Sequence, residues 1–430
     1  MLARGRFYIP FNQLLIFLFR LIFTSMKNTS HVPRFEDKLK KFIQADDVFL
    51  FSTCRVSLLA VLKSLGLERK HNVFLAPITI PDIVNAIIIS GHNPVFVDMD
   101  PDNHGISLKK LKEKNHQKDD IVLVTWLSGL CPDINNIKEY CKQKELILIE
   151  DTSQIIGCSV SSQKVGSFGD FNIISFSIGK NISTLLGGAV AVNNPNFLHK
   201  MKDISKNFRL HPPQKIYFLK QIFENIKIEI LTSKVVFKIF TWPLLLLISI
   251  LSPERFSNLH KLNMVSKFNP DDVFFDDIPV LRKNFPEEFY FFFNSWMAHF
   301  GIVCFSNWDK NVKKRKQLKH IFLDTITDRV QPHIAKSFFH DTEFALRIPV
   351  YVDDPEHFQL FLIRRGVDTG GYGLNLCNEE EAFSRYYQDL PDSRFIKNNC
   401  FFIDLNHKNS KHDIKRAAEI LNRYFSRTFN

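Results

Sequence analysis

From residue 46 to about 205, short apolar runs alternate with stretches of helical spacing, and the alternation predicts strands that take turns with helices. "NVFLAP" (72–77), "NPVFVDMD" (93–100), "DIVLVTWLSG" (120–129), "LILIED" (146–151), "FNIISFS" (171–177) and "GGAVAVNN" (187–194) read as strands. Between them, "RVSLLAVLKSLGL" (55–67) has apolar residues at helical spacing and ends at a glycine. "DIVNAIIISG" (82–91) is a second helix, and "DINNIKEYCKQKE" (133–145) a third with Asp133 at its N-cap. The pattern predicts an α/β domain around a largely parallel sheet.

Two segments depart from it. In "MLARGRFYIPFNQLLIFLFRLIFTSMKN" basic residues precede an apolar stretch, Leu14 to Phe23, which Arg20 breaks. No small-residue cleavage site follows, so an amphipathic or interfacial helix is expected rather than a cleaved signal. Residues 206 to about 275 form a lysine- and leucine-rich insertion containing "VVFKIFTWPLLLLISIL" (235–251). Its uncharged part, Ile239 to Leu251, falls short of the ~20 residues needed to span a bilayer. A buried helix hairpin and a membrane-surface contact both remain open. A last block carries two strands, "LRIPVYV" (346–352) and "NCFFIDL" (399–405), with flanking helices that end in "KHDIKRAAEILNRYF". The expected organisation is an N-terminal segment over 1–45, a large domain over 46–275 with the insertion at about 206–270, and a smaller α/β or α+β domain over 276–430.

Composition narrows the classes. A hydrophobic content of 45% suits a packed core, and the formal charge of +11 comes from lysines that are scattered rather than striped. The densest cluster, "KNVKKRKQLKH" (310–320), reads as the wet face of a helix, so no nucleic-acid partner is expected. An anionic substrate or an anionic membrane surface suits the surplus. The seven cysteines are odd in number and include no CxxC pair, which argues against disulfides and a metal site and suits a reducing, cytoplasmic compartment.

In open α/β sheets ligands bind at the carboxyl ends of the strands. Asp151 ends "LILIED", Ser175 and Ser177 end "FNIISFS", and Lys180 follows them. The helix that starts near Arg55 comes straight after "VFLFSTC", so its N-terminus faces the same edge and offers N–H groups to an anion. Each residue alone reads as a turn, a cap or a solvated lysine. Together an acid, a lysine and a phosphate cradle are the parts that pyridoxal phosphate requires.

The order of the motifs adds a resemblance. "STCRVSLLAVLKSLGL", "APITIPDIVNAIIISGHNPVFVDMDPD", "WLSGLCPDINNI", "ILIEDTSQIIGC", "KVGSFGDFNIISFSIGKNISTLLGGAVAV" and "RIPVYVDDPE" resemble the sugar-nucleotide aminotransferases of the DegT/DnrJ/StrS type, fold type I pyridoxal-phosphate enzymes. The match is strong over about 50–205, fainter over 280–430 and absent from the first 40 residues. It implies a large domain with a mostly parallel central sheet and a smaller C-terminal α/β (α+β) domain.

By resemblance, Lys180 is the Schiff-base lysine, Asp151 the partner of the pyridinium nitrogen, Gln154 a contact near the phenolic oxygen and Ser175 a phosphate ligand. The family's glycine-threonine phosphate turn falls on Cys54 and Arg55, where Arg55 offers a guanidinium to phosphate and Cys54 brings a Cβ into a tight turn. Ile80 stands where an aromatic ring usually stacks on the cofactor, and Trp126 replaces a histidine, with its ring available for stacking. The usual asparagine-arginine stretch, given across a dimer interface, has only Asn284 as a counterpart near "RKNFPEEFYFFFNSW".

The implied activity is amination of a keto sugar, nucleotide-linked, for surface polysaccharide or related glycans, with glutamate as donor and a homodimer as the working form. Dehydratase members replace the lysine with histidine, and this chain keeps Lys180. The alternative is a cofactor-binding but catalytically impaired member with a regulatory or scaffolding role, motivated by Cys54 and Ile80. Membrane-surface contact is expected through residues 8–25 and 235–251, from a cytoplasmic location at the membrane.

Overall fold

The computed structural model describes residues 1–5, 9–66, 69–160, 162–256, 278–340 and 346–427. Along the chain the strands are β1 (Asp47–Phe51), β2 (Asn72–Leu75), β3 (Ile78–Thr79), β4 (Asn93–Phe96), β5 (Ile121–Thr125) and β6 (Ile147–Asp151). They continue with β7 (Ser159–Val160), β8 (Gln163–Lys164), β9 (Phe171–Ser175), β10 (Gly188–Val192), β11 (Arg347–Tyr351), β12 (Asn375–Leu376) and β13 (Cys400–Asp404). Seven of them form the central sheet in the order β1-β10-β9-β6-β5-β2-β4. The pairs β2–β4, β2–β5, β5–β6 and β6–β9 are parallel, whereas β10 runs antiparallel to both β1 and β9. The six strands expected from the apolar runs are all present. β1, which the reading did not single out, closes one edge.

The early helices are α1 (Phe11–Phe23), α2 (Val32–Ile43), α3 (Cys54–Ser64), α4 (Pro81–Ile89), α5 (Leu108–Lys112), α6 (Ile134–Gln143) and α7 (Leu198–Ser205). α3 ends where expected, with Gly66 just beyond it at φ +61, a backbone state that a glycine adopts without the Cβ penalty. Asp133 precedes α6 but makes no capping bond; its Oδ1 accepts from the Asn136 side chain at 2.8 Å instead.

The insertion folds as α8 (Lys215–Thr232) and α9 (Lys234–Leu251), the latter with a π-helical turn at Phe237–Thr241. Its stretch over 257–270 lies outside the described residues. Then follow α10 (Ser295–Ser306), α11 (Trp308–Leu323), α12 (Pro355–Ile363), α13 (Pro391–Asn399) and α14 (Lys411–Arg427).

The main core buries both sheet faces and also takes in Leu14, Phe17 and Leu21 of α1, Phe35 and Leu39 of α2, and Trp296 and Phe300 of α10. A second core joins β11, β13, α12 and α14, and Leu2 belongs to it. The N-terminal segment is thus shared between the two cores. The side of α1 opposite its buried stripe is apolar as well, with Phe11, Leu15, Phe19 and Ile22 exposed. The lysine-rich stretch of α11 is not wholly wet either. Arg315 is 1% exposed and bonds Asn181 Oδ1 at 3.2 Å, and buried Lys319 donates to His340 O at 2.8 Å.

Candidate active site

The parallel register aligns Thr125 with Asp151, so β5 and β6 end together. β6 is buried at every position, and its last residue, Asp151, is 6% exposed. Asp151 Oδ1 accepts the Ser153 backbone N–H at 2.9 Å. Burial pushes the Asp151 carboxyl above the usual carboxylate range, and the bonds from Ser153 and the charge of Lys180 pull the other way. The two expected partners, acid and lysine, therefore come within electrostatic reach of one another. Lys180 is half-buried in the loop after β9, a loop closed by the bridge between Ser177 and Leu185.

The phosphate cradle rests on two glycines. Gly187 bridges Thr53, and Gly188 pairs with both Phe51 on β1 and Ser175 on β9. A Cβ on Gly188 would lie 2.4 Å from the Thr53 carbonyl carbon and 2.6 Å from Cys54 N. Only a glycine lets the N-terminus of α3 come this close, and that approach sets Cys54 beside the strand end that carries Ser175. Thr53 caps α3 by accepting from Val56 N at 3.3 Å. Ser175 Oγ and Ser177 Oγ are 3.0 Å apart, which gives two hydroxyl donors on the same edge.

Cys54 Sγ lies 3.2 Å from Ser153 Oγ. Burial first, and Asp151 second, push the Cys54 thiol up to about 12, so it is protonated and serves as a small wall of the site rather than as a nucleophile. Gln154 Oε1 accepts from Ser128 N at 2.8 Å, and its carbonyl accepts from Asn181 Nδ2 at 3.1 Å. Asn181 in turn holds Arg315. These contacts fix the Lys180–Asn181 turn to the ends of β5 and β6.

Two expected contacts are corrected. Arg55, buried at the start of α3, bonds Asp82 Oδ2 at 2.5 Å and lies over the Phe289 ring, 5.0 Å from its centroid. A buried guanidinium needs a carboxylate, and α4 supplies one, so the side chain is held on Asp82 rather than offered to a phosphate. Arg282 Nε joins the same carboxylate at 2.9 Å. Trp126 does not stack in the site: it is fully buried, and its indole N–H donates to Glu150 Oε2 at 3.0 Å. Glu150 and Asp151 are neighbours on one strand and point to opposite sheet faces. Glu150 also accepts the N–H groups of Gly166, Phe168 and Gly169, so Trp126 belongs to the support of the "VGSFGD" turn.

Ile80 stands at the N-cap of α4, two positions before Asp82, half-buried against the main core. Asn284 is exposed in the segment that packs on α4, where Asn85 Nδ2 donates to Val280 O at 2.9 Å. Ser153, Ser128, Asn181, Asp82, Arg282 and Arg315 were not anticipated. Ser153 alone had a local signal, in "EDTSQ" beside the acid; the others act through partners far away in sequence. Among the described residues no group of three or more His, Cys, Asp or Glu side chains is placed to hold a metal ion.

The donor set fits pyridoxal phosphate. A buried carboxylate with raised affinity for a proton suits a ring N–H, an amine stands beside it, and hydroxyls and a helix N-terminus meet at a glycine-made gap. Comparisons with known proteins agree. The model of the DegT/DnrJ/EryC1/StrS aminotransferase family matches residues 23–235. A GDP-perosamine synthase of Vibrio cholerae is 29% identical over 170 residues, which are 40% of this chain and 46% of that protein. The chain spans about half the length of the curated relatives it matches. In fold, it is similar to PseC of Helicobacter pylori, an aminotransferase involved in pseudaminic acid biosynthesis (TM-score 0.65, 15% identity, 99% of each chain). It is similar also to a GDP-4-keto-6-deoxymannose-3-dehydratase solved with a trapped PLP–glutamate geminal diamine (TM-score 0.70, 14% identity, 98% of this chain and 100% of that one).

Proposed function

The chain belongs to the DegT/DnrJ/EryC1/StrS aminotransferase family, and from that premise we propose that it is a pyridoxal-phosphate-dependent aminotransferase that converts a keto sugar, nucleotide-linked, into an amino sugar. The observation that carries the reading is the convergence of Lys180, Asp151, Ser175 and the α3 N-terminus on one sheet edge, made possible by Gly188.

Pyridoxal phosphate, when bound, supplies an electron sink for the substrate carbon that loses its proton. The chain's own residues do the rest. Asp151 would accept the ring N–H and keep the proton on it, a role that suits a buried carboxylate because a cation relieves its desolvation. Lys180 would hold the cofactor by its ε-amine and, once freed, would move a proton from the substrate α-carbon to the carbon on the far side of the substrate nitrogen, two atoms away. That role requires a neutral amine. Ser175, Ser177 and the first N–H groups of α3 would hold the phosphate. Gln154, held through Oε1 by Ser128 N, would offer its amide nitrogen near the ring's phenolic oxygen.

Glutamate is the proposed donor, and a GDP-perosamine synthase among the relatives supports a sugar-nucleotide acceptor; a place in surface glycan biosynthesis is part of the same proposal. A homodimer, and a cytoplasmic location at the inner face of the cytoplasmic membrane, belong to the same reading.

Absorbance spectroscopy tests it. Purified protein is expected to carry the visible band of lysine-bound cofactor, to lose it on adding glutamate, and to lack it altogether as Lys180→Ala. A wild-type protein that takes up no cofactor overturns the reading. Cofactor uptake without any response to glutamate, or to other amino donors, supports instead the impaired member suggested by Cys54 and Ile80.

A further inference from the structure

Of the large apolar side chains that are exposed among the described residues, most lie on three helices, α1, α8 and α9. On α1, Phe11, Leu15, Phe19 and Ile22 recur at spacings of four, four and three, which sets them on one face. α8 adds Phe223 and Ile230, and α9 adds Ile239, Leu244, Leu247 and Leu251. Phe19, Phe223 and Leu251 are 64%, 57% and 74% exposed, so none of the described residues covers them.

The three helices form one surface. Lys215 Nζ, at the start of α8, donates to Ile22 O at the end of α1 (2.8 Å), and Lys408 reaches both Ile9 O, just before α1, and Glu229 near the end of α8. α1 and α8 are therefore antiparallel neighbours. α9 leaves α8 through a single residue and stays tied to it by Thr241 Oγ1 donating to Leu231 O at 2.8 Å.

We propose that α1, α8 and α9 form a lipid-facing surface that inserts into one leaflet of an anionic bilayer. Charge selects the occupant. α1 and α9 carry no acidic residue, while Arg20 and Lys238 lie on them and Lys215 and Lys220 on α8; Lys234 of α9 pairs with Asp413 at 3.8 Å. The two acids of α8 are spent on Lys227 and Lys408. A second copy docking on this face would oppose cations with cations, whereas anionic headgroups meet them with opposite charge.

Insertion is interfacial, not spanning. α9 has 18 residues and a mean hydropathy of 1.9, long and apolar enough to cross a membrane by length and composition. Trp242 Nε1, however, donates to Ile363 O at 2.7 Å and Phe237 and Ser249 are buried, so the helix is fastened along its length to the folded body. A helix held this way lies in the plane of the interface. The proposal gives the membrane location above a surface, a lipid class and a depth; it rests on that location and not on transamination.

The test is co-sedimentation of the full chain with vesicles of phosphatidylcholine, alone or with roughly a quarter phosphatidylglycerol. Binding is expected to be strong only with the anionic lipid, and weakened but not lost in about 0.5 M salt, where electrostatic attraction is screened. The pairs Phe19→Glu/Ile22→Glu and Leu244→Glu/Leu247→Glu should each lower partitioning by at least about ten-fold, since burial of one such side chain is worth about that factor. Their cofactor absorbance and unfolding midpoint should match the wild type, which separates failure of this surface from failure of the catalytic reading. Three outcomes overturn the proposal: no binding to either vesicle, binding that salt abolishes and the glutamates leave unchanged, or a wild-type dimer that L244E/L247E turns into a monomer.

Discussion

Folding takes the Asp151 carboxyl out of water at the end of β6 with only Ser153 and the neighbouring lysine charge to compensate, and burial wins, raising its proton affinity. The folded chain therefore binds more protons at this site than the unfolded chain once pH passes the ordinary aspartate value of about 3.9. By linkage, its contribution favours folding below that pH and is lost as pH rises through the raised value. In cofactor-free protein, Asp151→Asn is expected to raise the unfolding midpoint at pH 7 and to leave it unchanged near pH 3.5. The same variant should bind pyridoxal phosphate more weakly. Equal midpoints at pH 7 would mean that Lys180 fully offsets the burial. At this scale Asp151 and Ser175 are legible because each ends a strand, and Lys180 because it lies in the loop that follows one; strand ends follow from the apolar runs. Arg55 and Trp126 were misread because side-chain direction depends on partners, Asp82 and Glu150, that local sequence does not tie to them. Strand parity did hold a clue: the register that puts Thr125 beside Asp151 puts Trp126 on the other face.

Elements came through more fully than contacts. The alternation of apolar runs and helical stretches predicts six strands of the central sheet because buried parallel strands must be apolar throughout. It does not reveal that β10 is antiparallel, since the pattern along a strand is blind to its neighbour's direction. α11 was misjudged for a similar reason: its charges look wet, but Arg315 is drawn inward by Asn181. The close meeting of α3 with β10 was legible only as a glycine pair, and it yields a sharp expectation. Gly188→Ala would drive a Cβ into the Thr53–Cys54 backbone, which cannot rotate away. The cost should be about 1–3 kcal/mol, with the α3 N-terminus pushed off the strand end. Chemical denaturation should register the loss, and cofactor affinity should fall together with it. A stable variant with weak cofactor binding would place the strain in the cradle alone. Unchanged affinity would remove the α3 N-terminus from the phosphate site.

At the scale of the whole molecule, the chain's first residues tie its two cores together. Leu2, 1% exposed, lies in the C-terminal core, and its backbone exchanges bonds with Gly366 O and Asp368 N, each at 2.9 Å. Arg4 pairs with Asp368 at 3.4 Å, and Gly5 N donates to Asp404 Oδ2 at 2.7 Å. A few residues later α1 lies in the main core, so this strap joins the small unit to the helix that carries the lipid-facing stripe. Nothing local announces it, because "MLARG" has no periodicity and its partners are more than 350 residues away. Leu2→Ala removes the apolar anchor and leaves a cavity between the strap and β11, β13 and α14, a cost of about 2 kcal/mol or more. If the strap braces the small unit, amide hydrogen exchange should accelerate in β11, β13 and α14 while β5, β6 and β9 keep their protection. Acceleration of equal size in both sheets would instead mean that the chain unfolds as one cooperative body. No change anywhere would mean that the strap adds no stability. The local outcome has a consequence for the membrane surface: α1 would keep its buried face on the main core, and vesicle binding would persist in a protein whose C-terminal unit had loosened.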